Sequence, residues 1–394
     1  MKTEYKNQQT FLELLRVGLW GGQRLVSGSK FQFPSEMDWN EVYQQAQEQS
    51  VQGLVLQGIE TVQASWLKVH GSPLVPQMLL LQWIGEVQVI EQQNKDMNAF
   101  IADLIEKLRK NDIYALLVKG QGVAQCYEKP LWRSAGDVDL LLSDDNYDKA
   151  KMYLTPLASE VETEYVGGKH IGMTIDGWVV ELHGSLRVGL PNWINRELDD
   201  IQTDTFKCFK CGNVRSWMND RTQVFMLGKE NDIVYVFVHF LNHFYKEGVG
   251  LRQICDWCRL MWMYRNEINV EKIETRIKKM RLVSEWKAFY NLASRYLGMP
   301  DLDSGLMVHD SRFDKKADRI MKFILKSGNM GHNRGSWFME HDSWLTRQYV
   351  VRKAFSMGRR IGDLINHARI FPLDSLRFFP RIMFNGVRSA VKGE

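Results

Sequence analysis

Two apolar stretches of the sequence carry acidic residues at two-residue spacing. Asp137 and Asp139 stand on either side of Val138, and Glu181 is followed two residues later by His183. Successive side chains of a β-strand alternate between its faces, so each pair is expected to share a face. Unpaired carboxylates are costly to bury, so their place in apolar strands needs a reason. Three carboxylates on adjacent strands would form an oxygen-rich site suited to Mg²⁺ or Mn²⁺.

A strand and a glycine turn come just before the aspartates. Residues 113–118 are predicted to form the first strand, and residues 119–122, Lys-Gly-Gln-Gly, to turn into a short helix that runs to Tyr127. The glycines would let backbone N–H groups approach phosphate oxygens closely, and a helix N-terminus favours anions. Lys119 would add a positive charge for a triphosphate. A glycine turn is weak evidence by itself, because many strand-to-helix turns use glycine.

The second acidic stretch is predicted to be one arm of a β-hairpin. Its arms are residues 165–175 and 178–186, joined by Asp176-Gly177, a strong turn signal. The arm that carries Glu181 can pack beside the strand that carries the aspartates. His170 lies on the other arm, where a bystander role is favoured over a place in the cleft.

Three segments resemble the core motifs of a known family: KGQGVAQCY (119–127), RSAGDVDLLL (133–142) and VVELHGSL (179–186). They are similar to motifs of the uncharacterised nucleotidyltransferases in the DNA polymerase beta-like superfamily. There, a glycine turn, a D-x-D strand and a third carboxylate on a later strand follow one another. Residues 239–261 are similar to that family's helical segment after the palm. One departure is Lys119-Gly120 followed by Gln121, where the superfamily often has Gly-Gly or Gly-Ser.

This resemblance implies a metal-dependent enzyme that moves a nucleoside monophosphate from a nucleoside triphosphate to a hydroxyl acceptor. The acceptor would be a small molecule, a tRNA end or a protein side chain. Two Mg²⁺ or Mn²⁺ ions would activate the attacking hydroxyl and neutralise charge on the triphosphate and the leaving pyrophosphate. Their ligands would be Asp137, Asp139 and Glu181, with Glu181 as either the third ligand or the general base.

The same resemblance implies residues that bind the nucleotide and its phosphates. Arg133 and Ser134 precede the aspartates where the family often has an Arg, consistent with a phosphate contact. His183 would orient Glu181 or contact phosphate, although a packed core histidine explains it equally well. The full predicted set is Lys119, Gly120, Gln121, Arg133, Ser134 and His183.

Two other functions are compatible with these residues. A glycosyltransferase could hold a sugar nucleotide with Asp137 and Asp139. It would need a nucleotide-binding α/β region upstream, where residues 1–110 are predicted to be helical. A catalytically inactive binding protein could retain the nucleotidyltransferase fold and recognise a partner through its basic C-terminal region.

Two further groups of residues have spacings that invite a structural role. Arg252 and Asp256, four apart on a predicted helix, are expected to form an ion pair. Four thiolates in two C-x-x-C pairs could bind Zn²⁺, but a predicted helix separates the pairs and packing already explains the second. These cysteines are Cys208, Cys211, Cys255 and Cys258.

The composition is ordinary for a globular protein. The chain has 394 residues with 44% hydrophobic and 25% charged residues, and a net charge of +4 gives no global case for nucleic-acid binding. Five cysteines do not indicate a disulfide framework. The first residues lack the basic start and apolar run of a secretion signal, and no uninterrupted apolar run is long enough for a membrane span. A cytoplasmic location is therefore expected.

The predicted fold class is α+β, with a small mixed β-sheet of the nucleotidyltransferase palm type embedded in a mainly α-helical chain. A short β segment is expected around residues 206–217. The predicted regions are an N-terminal helical region (1–110), the α/β palm (111–228), a helical domain (229–300) and a basic C-terminal helical region (301–394).

The last fifty residues are basic. They hold ten Lys and Arg residues against three acidic ones. Interleaved phenylalanines would add apolar contacts, so this region could bind RNA, an acidic partner or anionic lipid. A solvated basic face on ordinary helices explains the same charge.

Overall fold

Helices form the N-terminal part of the chain in this computed structural model. The structure describes residues 2–21, 37–165, 168–212, 214–246, 248–302, 305–329, 367–373 and 376–378. The helices ahead of the first strand are α1 (Lys2–Trp20), α2 (Trp39–Glu48), α3 (Gln52–His70) and α4 (Gln77–Arg109). The described part of the stretch before the palm is therefore mainly helical.

Two glycines let α1 and α3 pack backbone against backbone. A Cβ at Gly18 would lie 1.8 Å from the carbonyl oxygen of Leu54, and a Cβ at Gly58 would lie 2.0 Å from that of Leu14. No other residue type allows this approach. The contact fixes α3, and the side chain of Gln52 at its start accepts a hydrogen bond from Ser134, close to the aspartates.

The strands and three helices form the α/β palm. Its elements are β1 (Ala115–Val118), α5 (Gly120–Ala124), β2 (Val138–Leu142), α6 (Asp144–Leu154), β3 (Glu160–Val161), β4 (His170–Ile175), β5 (Trp178–His183), α7 (Asn192–Lys210), β6 (Arg215–Asn219) and β7 (Thr222–Met226). Helices follow again, as α8 (Lys229–Lys246), α9 (Leu251–Met263), α10 (Val270–Lys279), α11 (Val283–Leu297) and α12 (Asp314–Ser327).

The strands form one mixed, seven-stranded sheet in the described residues, in the order β3-β4-β5-β2-β1-β7-β6. Strand β2 runs antiparallel to β1 and parallel to β5. Strands β4 and β5 form the predicted hairpin, in which Asp176 and Gly177 adopt φ angles of 50° and 83°. Such positive φ angles are those of a tight hairpin turn. Because β2 and β5 are neighbours, the two acidic stretches lie side by side.

Each face of the sheet packs against a different set of helices. Leu140 faces a core that includes side chains of α4 and α6, such as Leu104 and Tyr147. Leu141 faces a larger core formed with α1, α3, α8 and α9. Side chains alternate along a strand, so Asp139 points to the same side as Leu141, toward α8 and α9.

The predicted fold class is confirmed: a mixed sheet lies within a mainly helical chain. Three local expectations change. Strand β1 begins at Ala115 and not at residue 113, and Asp137 lies just before β2. The predicted β segment begins too early, because α7 extends to Lys210 and β6 starts only at Arg215. The amphipathic pattern of α7 outweighs the β-forming residues near its end.

Most of the basic C-terminal region lies outside the described residues. Of the interleaved aromatic residues, Phe371 and Phe378 are described, and both are buried against Tyr245. These two are core residues, so the expectation that they add contacts on a binding surface is wrong. Among the described residues, no helix combines the length and hydropathy that a membrane span requires.

Candidate active site

Strands β2 and β5 place two of the predicted carboxylates side by side. The parallel register pairs Asp139 with Glu181, so both side chains leave the same face of the sheet. Asp137 lies two residues before Asp139 and is solvent-exposed, whereas Asp139 is only 5% exposed. Partial burial of the carboxylate, followed by the charges of Glu181 and Asp139, raises the pKa of Asp137. Asp139 and Glu181 therefore lie side by side, and Asp137 is close enough for its charge to interact with both.

Lys119 reaches into this group from the end of β1. Its Nζ lies 2.7 Å from Oδ1 of Asp139. Its backbone has φ 58° and ψ −146°, a region that residues other than glycine rarely adopt. The next residue, Gly120, also has a positive φ, and a Cβ there would lie 3.3 Å from the carbonyl oxygen of Asp137. The turn thus holds the lysine in a strained conformation directly beside the aspartates.

Two histidines complete the cluster on the β4–β5 hairpin. The Nε2 atom of His183 lies 2.9 Å from Oδ1 of Asp139 and 3.3 Å from Oε2 of Glu181. The Nε2 atom of His170 lies 3.2 Å from the same oxygen of Glu181. The antiparallel register sets His170 opposite His183. The expectation that His170 is a bystander is therefore wrong.

The charges in this cluster act strongly on each other. Burial alone would raise the pKa of Glu181, but hydrogen bonds with His170 and His183 and the charge of Lys119 lower it below its ordinary value. Burial would lower the pKa of Lys119, but the charge of Asp139 holds it above its ordinary value. Glu181 is therefore ionised, and Lys119 protonated, at neutral pH.

Helix α8 covers the cluster from the opposite side. Nε2 of His239 lies 3.4 Å from the Nζ of Lys119. Burial and the charge of Lys119 lower the pKa of His239 well below its ordinary value, so its ring is neutral. Tyr235, one turn earlier, is buried, and burial raises its pKa to about 12. The cleft between sheet and helix is consequently lined with polar side chains on both walls.

Arg133 does not extend into the cleft. Its Nε and Nη2 donate to the two carboxylate oxygens of Asp256 at 2.7 and 2.8 Å, and the hydroxyl of Tyr127 donates to the same carboxylate at 2.7 Å. The expected ion pair of Asp256 with Arg252 is therefore replaced by one with Arg133. Burial disfavours the charge of Asp256, but Arg133 lowers its pKa overall. The group fastens the loop before β2 to α9.

Arg252 lies between this group and the aspartates. Its Nη1 atom is 3.3 Å from the carbonyl oxygen of Ser134, and its buried Nε has no hydrogen-bond partner in the described part of the chain. Burial and the like charge of Arg133 lower the pKa of Arg252, while Asp256, Tyr127 and, to a lesser extent, Asp137 oppose this. The Ser134 hydroxyl is directed to Gln52, away from the cleft.

Gln121 is also held by the scaffold. It is buried, and its side-chain amide donates to Oδ1 of Asn94 on α4. Asn94 in turn donates to the carbonyl oxygens of Leu131 and Arg133 at 2.7 and 2.8 Å. Asn94 thus ties the glycine turn to the loop before β2. A buried asparagine on the apolar face of a long helix is the sequence signal that could have revealed it.

The structure gives no support to a four-cysteine zinc site. Cys255 and Cys258 are buried on α9, whereas Cys211 is exposed at the end of α7. Across the described ranges, the one group of three or more side chains that could hold a metal ion is His170, Glu181 and His183, whose ligand atoms lie within 4.8 Å of one another.

The predicted ligands Asp137 and Asp139 are not members of this group, but their carboxylate oxygens, like that of Glu181, are donors suited to a divalent cation. Carboxylates that lie close together repel each other unless a cation lies between them; partial burial, followed by the charges of Glu181 and Asp139, raises the pKa of Asp137. Carboxylate oxygens are the ligands that Mg²⁺ and Mn²⁺ prefer. The cleft is open to solvent at Asp137, so a phosphate-bearing substrate could approach from that side.

A mixed sheet with paired acidic strands and a preceding strained turn defines a nucleotidyltransferase-type palm. The chain belongs to the uncharacterised nucleotidyltransferase family, whose model matches residues 35–298. The match includes all three motifs and extends beyond both ends of the segment in which the sequence resembles the family. This confirms the predicted family and enzyme class. Comparisons with curated proteins and with solved structures return no match.

Proposed function

We propose that this protein transfers a nucleoside monophosphate from a nucleoside triphosphate to a hydroxyl acceptor, with the help of divalent cations. The observation that carries the proposal is the register between β2 and β5, which sets Asp139 beside Glu181 with Asp137 next to them. Family membership supports the same reaction class. Neither observation identifies the acceptor, which could be a small molecule, a tRNA end or a protein side chain.

Asp137, Asp139 and Glu181 would hold the cations. Bound there, divalent ions would supply charge neutralisation on the triphosphate and activation of the acceptor hydroxyl. The acceptor oxygen would bond to the α-phosphorus and release its proton to solvent water, while the bond to the pyrophosphate oxygen breaks and pyrophosphate leaves. Glu181 is ionised and lies between two imidazole nitrogens, which supports a ligand role over that of a general base.

Lys119 and Arg252 would bind the phosphates. The ammonium of Lys119 is directed at the cleft, and its strained backbone is retained beside the aspartates. Strain in a residue of this kind is usually kept for function. The Nε of Arg252, which has no hydrogen-bond partner among the described residues, is close enough to Asp137 for their charges to interact, so an incoming phosphate could accept from the guanidinium there.

The other predicted phosphate-binding residues would act by positioning. Arg133 and Gln121 use their side chains to join the loops to α9 and α4. Ser134 offers its carbonyl oxygen to Arg252. His183 would orient Asp139 and Glu181. These residues would fix the two ends of the cleft in place without contacting the nucleotide, and Gly120 would allow the close approach of the turn to Asp137.

The proposal can be tested by transfer of label from each of the four α-³²P nucleoside triphosphates into a cell extract. Wild type with Mg²⁺ or Mn²⁺ should label a discrete acceptor. Asp137→Asn and Asp139→Asn should lose about 10³-fold in rate, because several kcal/mol of transition-state stabilisation depend on cation binding. Asp145→Asn, an exposed acid on α6, is the matched control.

The opposite outcome is equally specific. If wild type and Asp139→Asn label the extract alike, the carboxylates are not the catalytic groups. If wild type binds a triphosphate with Mg²⁺ but transfers nothing, the protein is a binding module that retains the fold. The Asp145→Asn control should match wild type in each assay.

A further inference from the structure

We propose that His170, Glu181 and His183 bind a divalent transition-metal ion that prefers nitrogen ligands, such as Zn²⁺ or Co²⁺. The inference deepens the proposed function and rests on it for the role of the ion, because Glu181 is one of the three proposed catalytic carboxylates. The existence of the ion site can be tested separately from catalysis.

The distances between the three side chains suit a single ion. Oε2 of Glu181 lies 3.2 Å from Nε2 of His170 and 3.3 Å from Nε2 of His183. Two ligands that each lie about 2.1 Å from one ion are separated by about 3.0–3.5 Å in cis-octahedral or tetrahedral geometry. All three ligand atoms lie within 4.8 Å of one another, so small side-chain rotations would close the set.

The backbone holds these side chains on rigid elements. His170 and His183 are paired in the antiparallel register of β4 and β5, and Glu181 lies two residues from His183 on the same face. The side chains of His170 and Glu181 are 30% and 26% exposed, whereas that of His183 is 11% exposed. One side of the set is thus open, so water or a substrate oxygen could complete the coordination.

The donor types set the preference for the ion. Imidazole nitrogen favours Zn²⁺, Co²⁺ and other transition metals, whereas Mg²⁺ prefers an all-oxygen shell and retains its water. Two nitrogens and one carboxylate oxygen therefore discriminate against Mg²⁺. Asp139 lies 2.9 Å from Nε2 of His183, so the ion would be adjacent to the D-x-D aspartates. One cation position of the cleft would then differ in chemistry from the other.

A hydrogen-bond network is the competing explanation of the same distances. In that arrangement each Nε2 carries a hydrogen, so that His170 donates a hydrogen bond to Glu181 and His183 donates one to Asp139 or Glu181. His170→Gln separates the two, because the glutamine amide can donate the same hydrogen bond but is a poor metal ligand. His170 is half-buried at the start of β4, so the variant should fold. His70→Gln, at an exposed position on α3, is the matched control.

The test is a Co²⁺ titration of the full chain, with any affinity tag removed and bound metal stripped by a chelator. Visible absorption should show that Co²⁺ binding is saturable. Excess Mg²⁺ should not displace the bound Co²⁺, whereas Zn²⁺ should displace it. His170→Gln should weaken Co²⁺ affinity by about 10–100-fold, and Glu181→Gln by at least as much. His70→Gln should bind like wild type, and thermal unfolding should confirm that each variant is folded.

Equal Co²⁺ affinity in wild type and His170→Gln would overturn this inference and leave a hydrogen-bond network. Binding of a triphosphate with Mg²⁺ is measured on the same proteins. If Co²⁺ binding depends on His170 but no triphosphate is bound or transferred, the ion site stands and the proposed function fails. If nucleotide transfer occurs but wild type and His170→Gln bind Co²⁺ with equal affinity, the proposed function is supported and this inference is wrong.

Discussion

Two groups of charged side chains involve the α/β palm and differ in how fully they are paired: one joins the palm to α9, and the other lies at β2 and β5. In the Asp256 group, both carboxylate oxygens accept from Arg133, and Tyr127 adds a third hydrogen bond. In the Asp139 group, three carboxylates face one lysine and two histidines. A saturated ion pair needs no further ligand, whereas converging carboxylates leave a surplus of negative charge. The Asp256 group is therefore an ion pair that stabilises the fold, whereas the Asp139 group is a site that can bind cations.

The shifts in pKa follow the same division. The pKa of Asp256 is lowered even though burial opposes its charge, because Arg133 is in contact with it. The pKa of Asp137 is raised, since burial and its acidic neighbours act in the same direction. Stability should therefore depend on the first group and activity on the second.

The largest expected effect is on stability. Asp256→Asn leaves the buried Arg133 without its counter-ion and should lower the free energy of unfolding by about 3–5 kcal/mol. Asp137→Asn, at an exposed position, should change it by no more than about 0.5 kcal/mol. Guanidinium denaturation of both variants beside Asp145→Asn measures the difference. Equal losses in the two groups would mean that the distinction drawn between them is wrong.

The second effect separates strain from chemistry at Lys119. Both Lys119→Ala and Lys119→Gly remove the ammonium, so each should lower the transfer rate by about 10²–10³-fold. Glycine tolerates φ 58° and alanine does not, so the glycine variant should be about 1–3 kcal/mol more stable than the alanine variant.

Rate measurements under saturating triphosphate and denaturation of the two variants check this pair of expectations. Similar stability in both would mean that the turn relaxes and that no strain is stored at Lys119. A transfer rate close to that of wild type in either variant would remove the lysine from the phosphate-binding residues.

A smaller effect concerns pH. The pKa of Asp256 is lower in the folded protein than its ordinary value of 3.8. The pair therefore contributes its full stability above that value and loses it as pH falls through the folded pKa, at up to about 1.4 kcal/mol per pH unit. The gap in unfolding free energy between wild type and Asp256→Asn should narrow below about pH 4. A gap that stays constant down to pH 2 would contradict the assigned pair.

How much of this the sequence could predict depends on the range of the interactions. The D-x-D spacing, the Asp176-Gly177 turn and the E-x-H pattern are local, and they predict the strands of Asp139 and Glu181, whereas Asp137 lies one residue before β2. The partners of Arg133 and Gln121 are on α9 and α4, far away in the chain. No local pattern specifies such pairs, so both residues were expected to contact phosphate.

His170 illustrates the intermediate case. The sequence predicts the hairpin, but whether His170 shares a face with Glu181 on the second arm depends on the register of the two strands. A shift by one residue would turn the side chain to the other face. The register is fixed by the two-residue turn together with the burial of Ile171 and Met173 on the opposite face. The position of His170 in the cluster follows from those contacts and not from its own sequence neighbours.

The smallest predicted effect tests whether Arg252 acts in the cleft or in the stabilising Asp256 group. Its Nη1 has one long hydrogen bond to Ser134, and its Nε has no partner among the described residues, so little stability should depend on it. A phosphate would supply the missing acceptor.

Arg252→Gln should therefore raise the KM for the triphosphate about tenfold, the loss expected for one charged hydrogen bond, with kcat little changed. Arg312→Gln, an exposed arginine paired with Asp310, is the control. The opposite result would be that Arg252→Gln lowers the unfolding free energy as much as Asp256→Asn does and leaves KM unchanged. Arg252 would then belong to the stabilising Asp256 group, and the boundary between the two groups would lie closer to Asp137.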